Sequence, residues 1–276
     1  MPYAHNGGAR IYWETEGDGP PLLLIMGLGY SMVMWHRLRP VLAERFSVIV
    51  FDNRGVGNSD VPEPPYSIPE MTSDAVAVLD AARVDEAHVL GVSMGSVIAQ
   101  ELALTYPERV RSLVLACTAC GGPDAVPAEP EVVDTLVARA QMTPEEGVRV
   151  MVPFIYDPAT PRDRIEDDIA LRLKHYPTTQ GYLGQLQAVV GYETYQRLDT
   201  IAIPTLVIHG ESDRLVPHGN GADVARRIRG ARFVSLANAS HIFFTDQLEA
   251  SVRVILDFLH EVADVPEDAE MAEVTQ

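Results

Sequence analysis

Six stretches of this chain are apolar without alternating: Pro21 to Met26, Ser47 to Phe51, Ala87 to Val92, Val110 to Ala116, Thr205 to Ile208 and a weaker Arg232 to Leu236. A strand with one wet face alternates apolar with polar residues, so a run that does not alternate is buried on both faces, as in parallel sheets. Parallel strands need long crossovers, usually helical, and the intervening segments supply them. Ser67, with Glu70 three residues on, reads as a capping box that opens an amphipathic stretch to Ala82, with Val76, Leu79 and Ala82 on one face. A second helix is predicted after Ser93, through Ile98 and Leu102 until Pro107 ends it. Ahead of these, Asn6-Gly7 reads as a tight turn, and Ile11, Trp13 and Thr15 alternate with Tyr12, Glu14 and Glu16, which predicts an antiparallel start. The class is α/β, with a twisted, mostly parallel sheet.

From about residue 121 to 198 the rhythm fails. No buried-strand run occurs, and helix-like pieces such as Glu131 to Gln141 and Arg164 to Lys174 are separated by prolines. The segment lies between two sheet strands, which places it over the carboxyl edge of the sheet, where α/β ligand sites form. It reads as a helical lid or cap on a core made of residues 1–120 and 199–262. Residues 263–276 carry Asp264, Glu267, Asp268, Glu270 and Glu273 and no base, and read as a solvated, mobile tail.

Charge and counts exclude several functions. Thirty-nine acidic residues against 21 basic ones leave a net charge of -18, which repels phosphate backbones and anionic lipid, so neither nucleic acid nor membrane is an expected partner. Lys174 is the only lysine and follows Leu173, so no phosphate-cradling Walker loop exists. No apolar run approaches the ~20 residues of a bilayer span, and Met1 to Arg10 lacks a signal-peptide profile. A soluble cytoplasmic protein is expected. Cys117 and Cys120 form a C-x-x-C with no second pair to complete a metal site, and read as small, partly buried thiols. Neither metal nor cofactor is expected.

Chemistry concentrates at Gly91-Val92-Ser93-Met94-Gly95, a G-x-S-x-G between a predicted strand and a predicted helix. A nucleophile on so sharp a turn needs small neighbours, and Gly91 and Gly95 provide them. The turn puts Ser93 at a helix N-terminus, where N–H groups favour developing negative charge. A serine hydroxyl needs a base, and the base an orienting acid. His241 follows the last strand and Asp213 follows the Thr205 to Ile208 strand, so both emerge at the same sheet edge as Ser93. Glu211 and Asp124 are the rival acids; His209, the rival base, reads as structural. Two backbone donors should face the oxyanion: the Met94 N–H, and the Leu28 N–H in the glycine-flanked bend from Ile25 to Tyr30. An ordinary strand-ending turn is the competing reading of that bend.

The sequence resembles the α/β-hydrolase superfamily from Tyr3 to Val262, particularly its cap-bearing carboxylesterases, its 3-oxoadipate enol-lactonase-like members and the cofactor-free haloperoxidases. The resemblance is carried in order by Met26-Gly27-Leu28-Gly29, Asp52 to Ser59, Gly91 to Gly95, His209 to Asp213 and Ser240-His241. It implies an eight-stranded sheet with an antiparallel first strand, a helical cap before the acid-bearing strand, and catalytic residues Ser93, Asp213 and His241 with an oxyanion hole at Leu28 and Met94. Met26 stands where many members have histidine. The Asp52 to Ser59 loop lacks the last glycine of a dinucleotide fingerprint, since Asp60 takes its place. By resemblance that loop is structural and Arg54 belongs to its scaffold. Serine rather than aspartate at the nucleophile position argues against dehalogenase and epoxide hydrolase chemistry.

The resemblance implies hydrolysis of small to medium apolar carboxylic esters. Lactone hydrolysis, haloperoxidase-like or carbon–carbon bond cleavage, and a non-enzymatic small-molecule receptor on the same fold are the alternatives. Met142, Met151, Phe154, Tyr156, Tyr176, Tyr182, Leu183, Leu186, Tyr192 and Tyr195 offer a pocket lining, although most of the aromatics are expected to pack the insertion itself. Arg139, Arg172 and Lys174 are candidates for a substrate carboxylate, although charged helical residues usually face solvent.

Overall fold

The computed structural model describes residues 2–262. In it the six unalternated runs become strands of one eight-stranded sheet. The strands are β1 (Tyr3–Asn6), β2 (Ala9–Glu16), β3 (Pro21–Ile25), β4 (Ser47–Phe51), β5 (Ala87–Val92), β6 (Val110–Ala116), β7 (Thr205–Gly210) and β8 (Arg232–Leu236), in the order β1-β2-β4-β3-β5-β6-β7-β8. β2 runs antiparallel to β1 and to β4, and every later pairing is parallel. The opening turn sits one residue later than expected. Asn6 pairs with Ala9, and the bend is made by Gly7 and Gly8 at φ 56° and 87°. A two-residue turn of this hand needs positive φ at both central positions, which two glycines meet without strain.

Successive residues of each central strand face opposite layers. Leu22, Leu24, Val48 and Val50 join one apolar cluster, and Leu23, Ile25, Ile49 and Phe51 join the other. The first cluster is closed by α1 (Arg39–Ala43) and the C-terminal helices, the second by α2 (Ile68–Ala82) and α3 (Met94–Thr105). Ser67 caps α2 by accepting the Glu70 N–H, but the Glu70 carboxylate turns to Arg54 instead of closing the box. The buried face of α2 also differs from expectation. Met71, Asp74, Ala75 and Val78 are buried, whereas Val76 and Ala82 are half-buried. Asp74 is drawn inward by Arg54, whose Nε and Nη2 each lie 2.6 Å from a carboxylate oxygen.

Between β6 and β7 the described chain contains helices and turns only: α4 (Pro130–Ala138), α5 (Pro144–Arg149), α6 (Val152–Ile155), α7 (Arg162–Lys174) and α8 (Thr179–Val189). Gln185 of α8 ties this insertion to the sheet's carboxyl edge. Its Oε1 accepts the Gly29 N–H at 2.7 Å, and its Nε2 donates to the Arg54 carbonyl at 2.7 Å. After α9 (Gly219–Arg227) and β8 come α10 (Phe243–Asp246) and α11 (Leu248–Val262). Gln247 separates the two at φ -133° and ψ 64°, with its side-chain amide donating to the Asn238 carbonyl. The acidic segment 263–276 lies outside the described residues.

The Arg54–Asp74 pair yields a prediction. Removing one member of a buried pair strands the other charge, so Arg54→Met should destabilise the fold by about 3–5 kcal/mol in urea denaturation. Combining it with Asp74→Leu should recover most of that loss. A single variant within about 1 kcal/mol of the parent would show that the pair does not anchor the loop.

Candidate functional site

Ser93 follows β5 directly and caps α3 with φ 57° and ψ -125°, a region that residues with a side chain avoid at a cost of about 1–3 kcal/mol. The surroundings impose that backbone. A Cβ on Gly91 would sit 2.2 Å from the Gly95 carbonyl oxygen, and one on Gly95 would sit 2.1 Å from that of Ile25. The Ser93 N–H donates to the Ala116 carbonyl at 2.9 Å, and the Ser96 hydroxyl lies 2.6 Å from the Ser93 carbonyl. β3, β5, β6 and α3 thus hold the serine from four sides.

Asp213 and His241 meet at the ends of the loops after β7 and β8. Asp213 Oδ2 lies 2.8 Å from His241 Nδ1 and 3.3 Å from His209 Nε2, while Oδ1 accepts the N–H groups of Leu215 and Val216 at 2.9 and 2.8 Å. Burial by itself raises a carboxyl. Here the charge of His241 and hydrogen bonds from His209 and His241 outweigh it, and they hold Asp213 well below the usual carboxylate range. His209 Nε2 also donates to the Val216 carbonyl at 2.8 Å, so this ring braces the loop. The two rival acids lie elsewhere: Glu211 is exposed and accepts from Ser235, and Asp124 is exposed and paired with Arg227.

Ser93 and His241 share the wall of a cavity of about 220 Å³ between the sheet edge and the insertion, together with Leu28, Met94 and Arg139. The Gly29 N–H is engaged by Gln185, and the Met94 N–H, first in its helix, has no intrahelical acceptor. The rest of the wall is largely aliphatic, including Met26, Leu136, Met151, Leu186 and Leu215. Of the insertion residues considered as lining, only Met151 and Leu186 reach this cavity. The tyrosines are held away by their hydroxyls: Tyr182 donates to the Leu136 carbonyl, Tyr192 to Glu101 and Tyr156 to Asp168. Lys174 is exposed, but Arg139 and Arg172 are buried, against the expectation for charged helical residues.

Sequence reasoning missed a second polar network. Ser212, beside Asp213, donates to Asp157 at 2.5 Å; Ser240, beside His241, donates its N–H to Asp246 Oδ2 at 2.7 Å; and Thr160 donates to Asp246 Oδ1 at 2.6 Å. Asp157 and Thr160 lie between α6 and α7, so the insertion clasps the neighbours of both Asp213 and His241. No local signal marks these residues, whose types are equally common in solvated loops. Burial, the largest influence, pushes Asp246 up to about 6, and the charge of Asp157 adds to the rise.

Among the described residues, Cys117, His209 and Asp213 bring possible metal-ligating atoms within 4.8 Å of one another. Both Asp213 oxygens already have partners, and burial and then the Asp213 charge push the Cys117 thiol well above its ordinary value. A protonated thiol is a poor ligand. Both cysteines are free, and both are more buried than expected.

Residues 20–248 match a family model described as alpha/beta hydrolase fold. Over 265 residues the chain is 34% identical to the provisionally named carbamate hydrolase RutD of Azorhizobium caulinodans, covering 95% of this chain and 99% of that one. It is 31% identical to the pimeloyl-acyl-carrier-protein methyl ester esterase of Aeromonas hydrophila, over 89% of this chain and 98% of the other. The crystal structure of the enol-lactonase from Burkholderia xenovorans superposes with a TM-score of 0.83 at 27% identity, covering 94% of this chain and 99% of that one.

Asp246 gives the site a pH-dependent anchor. With the unfolded carboxyl near 3.8 and the folded one at about 6, the folded protein keeps a proton that the unfolded chain releases. The contribution is therefore fully present below the lower value and is lost as pH rises through the upper one. Relative to Asp246→Asn, the parent's unfolding free energy should fall by on the order of 3 kcal/mol between about pH 4 and about pH 7. A difference that stays constant over that range in urea denaturation would refute the assignment.

Proposed function

The chain belongs to the α/β-hydrolase fold family, and on that premise we propose that it is a serine hydrolase cleaving carboxylic esters, lactones included, through an acyl-enzyme intermediate. One observation carries the reading: Ser93 and His241 share the wall of one cavity, with the Asp213 carboxylate 2.8 Å behind His241 Nδ1. His241 takes the Ser93 proton through Nε2 while Ser93 Oγ attacks the substrate carbonyl. The N–H groups of Leu28 and Met94 receive the oxyanion. His241 then protonates the leaving alcohol, which in a lactone stays tethered to the acyl group. Water repeats the sequence on the acyl-enzyme with the same base. Asp213 keeps its charge throughout; it fixes the ring and stabilises the imidazolium.

In this reading residues 121–198 act as the cap. A cavity of about 220 Å³ with aliphatic walls favours short to medium acyl groups. Each buried methylene adds about 0.8 kcal/mol until the chain meets the far wall, beyond which longer chains clash. Long-chain esters should be poor substrates.

Ser93→Ala and His241→Ala should each lower kcat/KM for a 4-nitrophenyl ester by about 10⁴-fold or more, and combining them should add little, because the residues act as a unit. A fluorophosphonate should label one site, and mass spectrometry should place it on the Ser93 peptide. Retention of a tenth of the activity by Ser93→Ala, or a label elsewhere, would sink the mechanism. A single turnover ending in a stable adduct would instead mark a receptor.

A further inference from the structure

The other deeply buried arginine guanidinium described above, Arg54, is locked to a carboxylate, and the partly buried Arg37 reaches Asp168 at 3.2 Å. Arg139 and Arg172 differ. Each is only 3% exposed, yet Nε and Nη2 of Arg139 and all three guanidinium nitrogens of Arg172 have no hydrogen-bond partner among the described residues. Aromatic faces surround them instead. The Arg139 guanidinium carbon lies 5.0 Å from the Tyr182 ring centre, 5.7 Å from that of Tyr176 and 5.8 Å from that of Tyr30, and Arg172 lies 4.5 Å from the Tyr30 ring centre.

Cation–π contacts offset only part of what isolating a buried charge costs. Two cations sharing one tyrosine also repel each other. The arrangement calls for an anion, and the void that both arginines line, about 10 Å³, has room for little more than one water. An anion must therefore come from the larger cavity, where Arg139 shares an otherwise largely aliphatic wall with Ser93 and His241.

We propose that Arg139, backed by Arg172 across Tyr30, is the anion-recognising end of the substrate cavity, and that the substrate is an ester or lactone carrying a free carboxylate. The inference rests on the serine-hydrolase reading and narrows its substrate class. A guanidinium presents parallel donors that match a planar carboxylate. Fixing the far end of the substrate there holds the scissile carbonyl against Ser93, so the binding energy aligns the reacting atoms.

Two substrates of equal acyl length test this: 4-nitrophenyl pentanoate and the mono-4-nitrophenyl ester of glutarate. The parent should favour the glutarate ester in kcat/KM by about tenfold or more, and Arg139→Met should erase most of that ratio. Arg139→Lys, which keeps the charge without the fork, should retain part of it, and it carries the test if Arg139→Met does not fold. An equal loss on both substrates, or a ratio that no variant changes, overturns the proposal. Calorimetry with free glutarate on Ser93→Ala gives a readout that needs no turnover. Binding that is weakened when Arg139→Lys is added and lost when Arg139→Met is added supports the anion site even where no ester is hydrolysed, and then only the hydrolase reading fails. Tighter binding of inorganic phosphate than of glutarate overturns the carboxylate assignment.

Discussion

The close approach of three backbone segments, at Ile25, Gly91 and Gly95, is the constraint on which the site depends. A single methyl at Gly91 or Gly95 would collide with a carbonyl oxygen at little more than 2 Å, so the pleat of β5, the start of α3 and the end of β3 fit only with bare backbone between them. That contact forces the strand into the helix without a loop and leaves Ser93 in a positive-φ conformation. The bend after β3 is held near the serine for the same reason: a Cβ on Gly27 would lie 3.1 Å from that of Ser93. The two proposed oxyanion donors, Leu28 and Met94, belong to the two segments so joined. Their placement follows from packing of the sheet and needs no dedicated scaffold.

Buried carboxylates near this edge behave differently according to their partners. Asp213 has two imidazoles and two backbone N–H groups on its oxygens, and its charged form is stabilised despite complete burial. Asp246 is held by a hydroxyl and a backbone N–H, with Asp157 as a like-charged neighbour, so burial prevails and its carboxyl rises. The first suits a permanent anion beside the proposed base. The second suits a clasp between insertion and core that holds most firmly while the carboxyl keeps its proton.

The central strands and the three proposed catalytic side chains were legible because their signals are local. Unalternated apolar runs mark buried strands, and a G-x-S-x-G is informative when a strand precedes it and a helix follows. Asp213 and His241 were found from strand ends, which the chain order alone places at one sheet edge. What escaped depends on partners far apart in sequence. Gln185 serves Gly29 and Arg54 across more than a hundred residues, and Thr160 meets Asp246 across 86. The hydroxyls of Tyr182, Tyr192 and Tyr156 hold these rings to Leu136, Glu101 and Asp168, in keeping with the expectation that most aromatics of the insertion serve packing, although no local signal names those partners. Helical periodicity marks charged residues as solvent-facing and cannot identify the two arginines that are enclosed.

Those arginines also resolve an electrostatic tension between the chain and the ligand proposed for it. A net charge of -18 repels an approaching carboxylate, but surface charges act through a screening length of about 8 Å at physiological ionic strength. The anion therefore meets a modest barrier outside. Inside, the dielectric is lower and salt is excluded, so two guanidinium groups with no carboxylate hydrogen-bonded to them among the described residues dominate the local field. Their uncompensated state before binding disfavours the empty site, and pairing with a carboxylate relieves that penalty. A neutral ester gains only apolar contact in the same cavity. On this account selectivity for the anion comes from a deficit built into the unoccupied protein, and it requires that the core supply no carboxylate to Arg139 or Arg172.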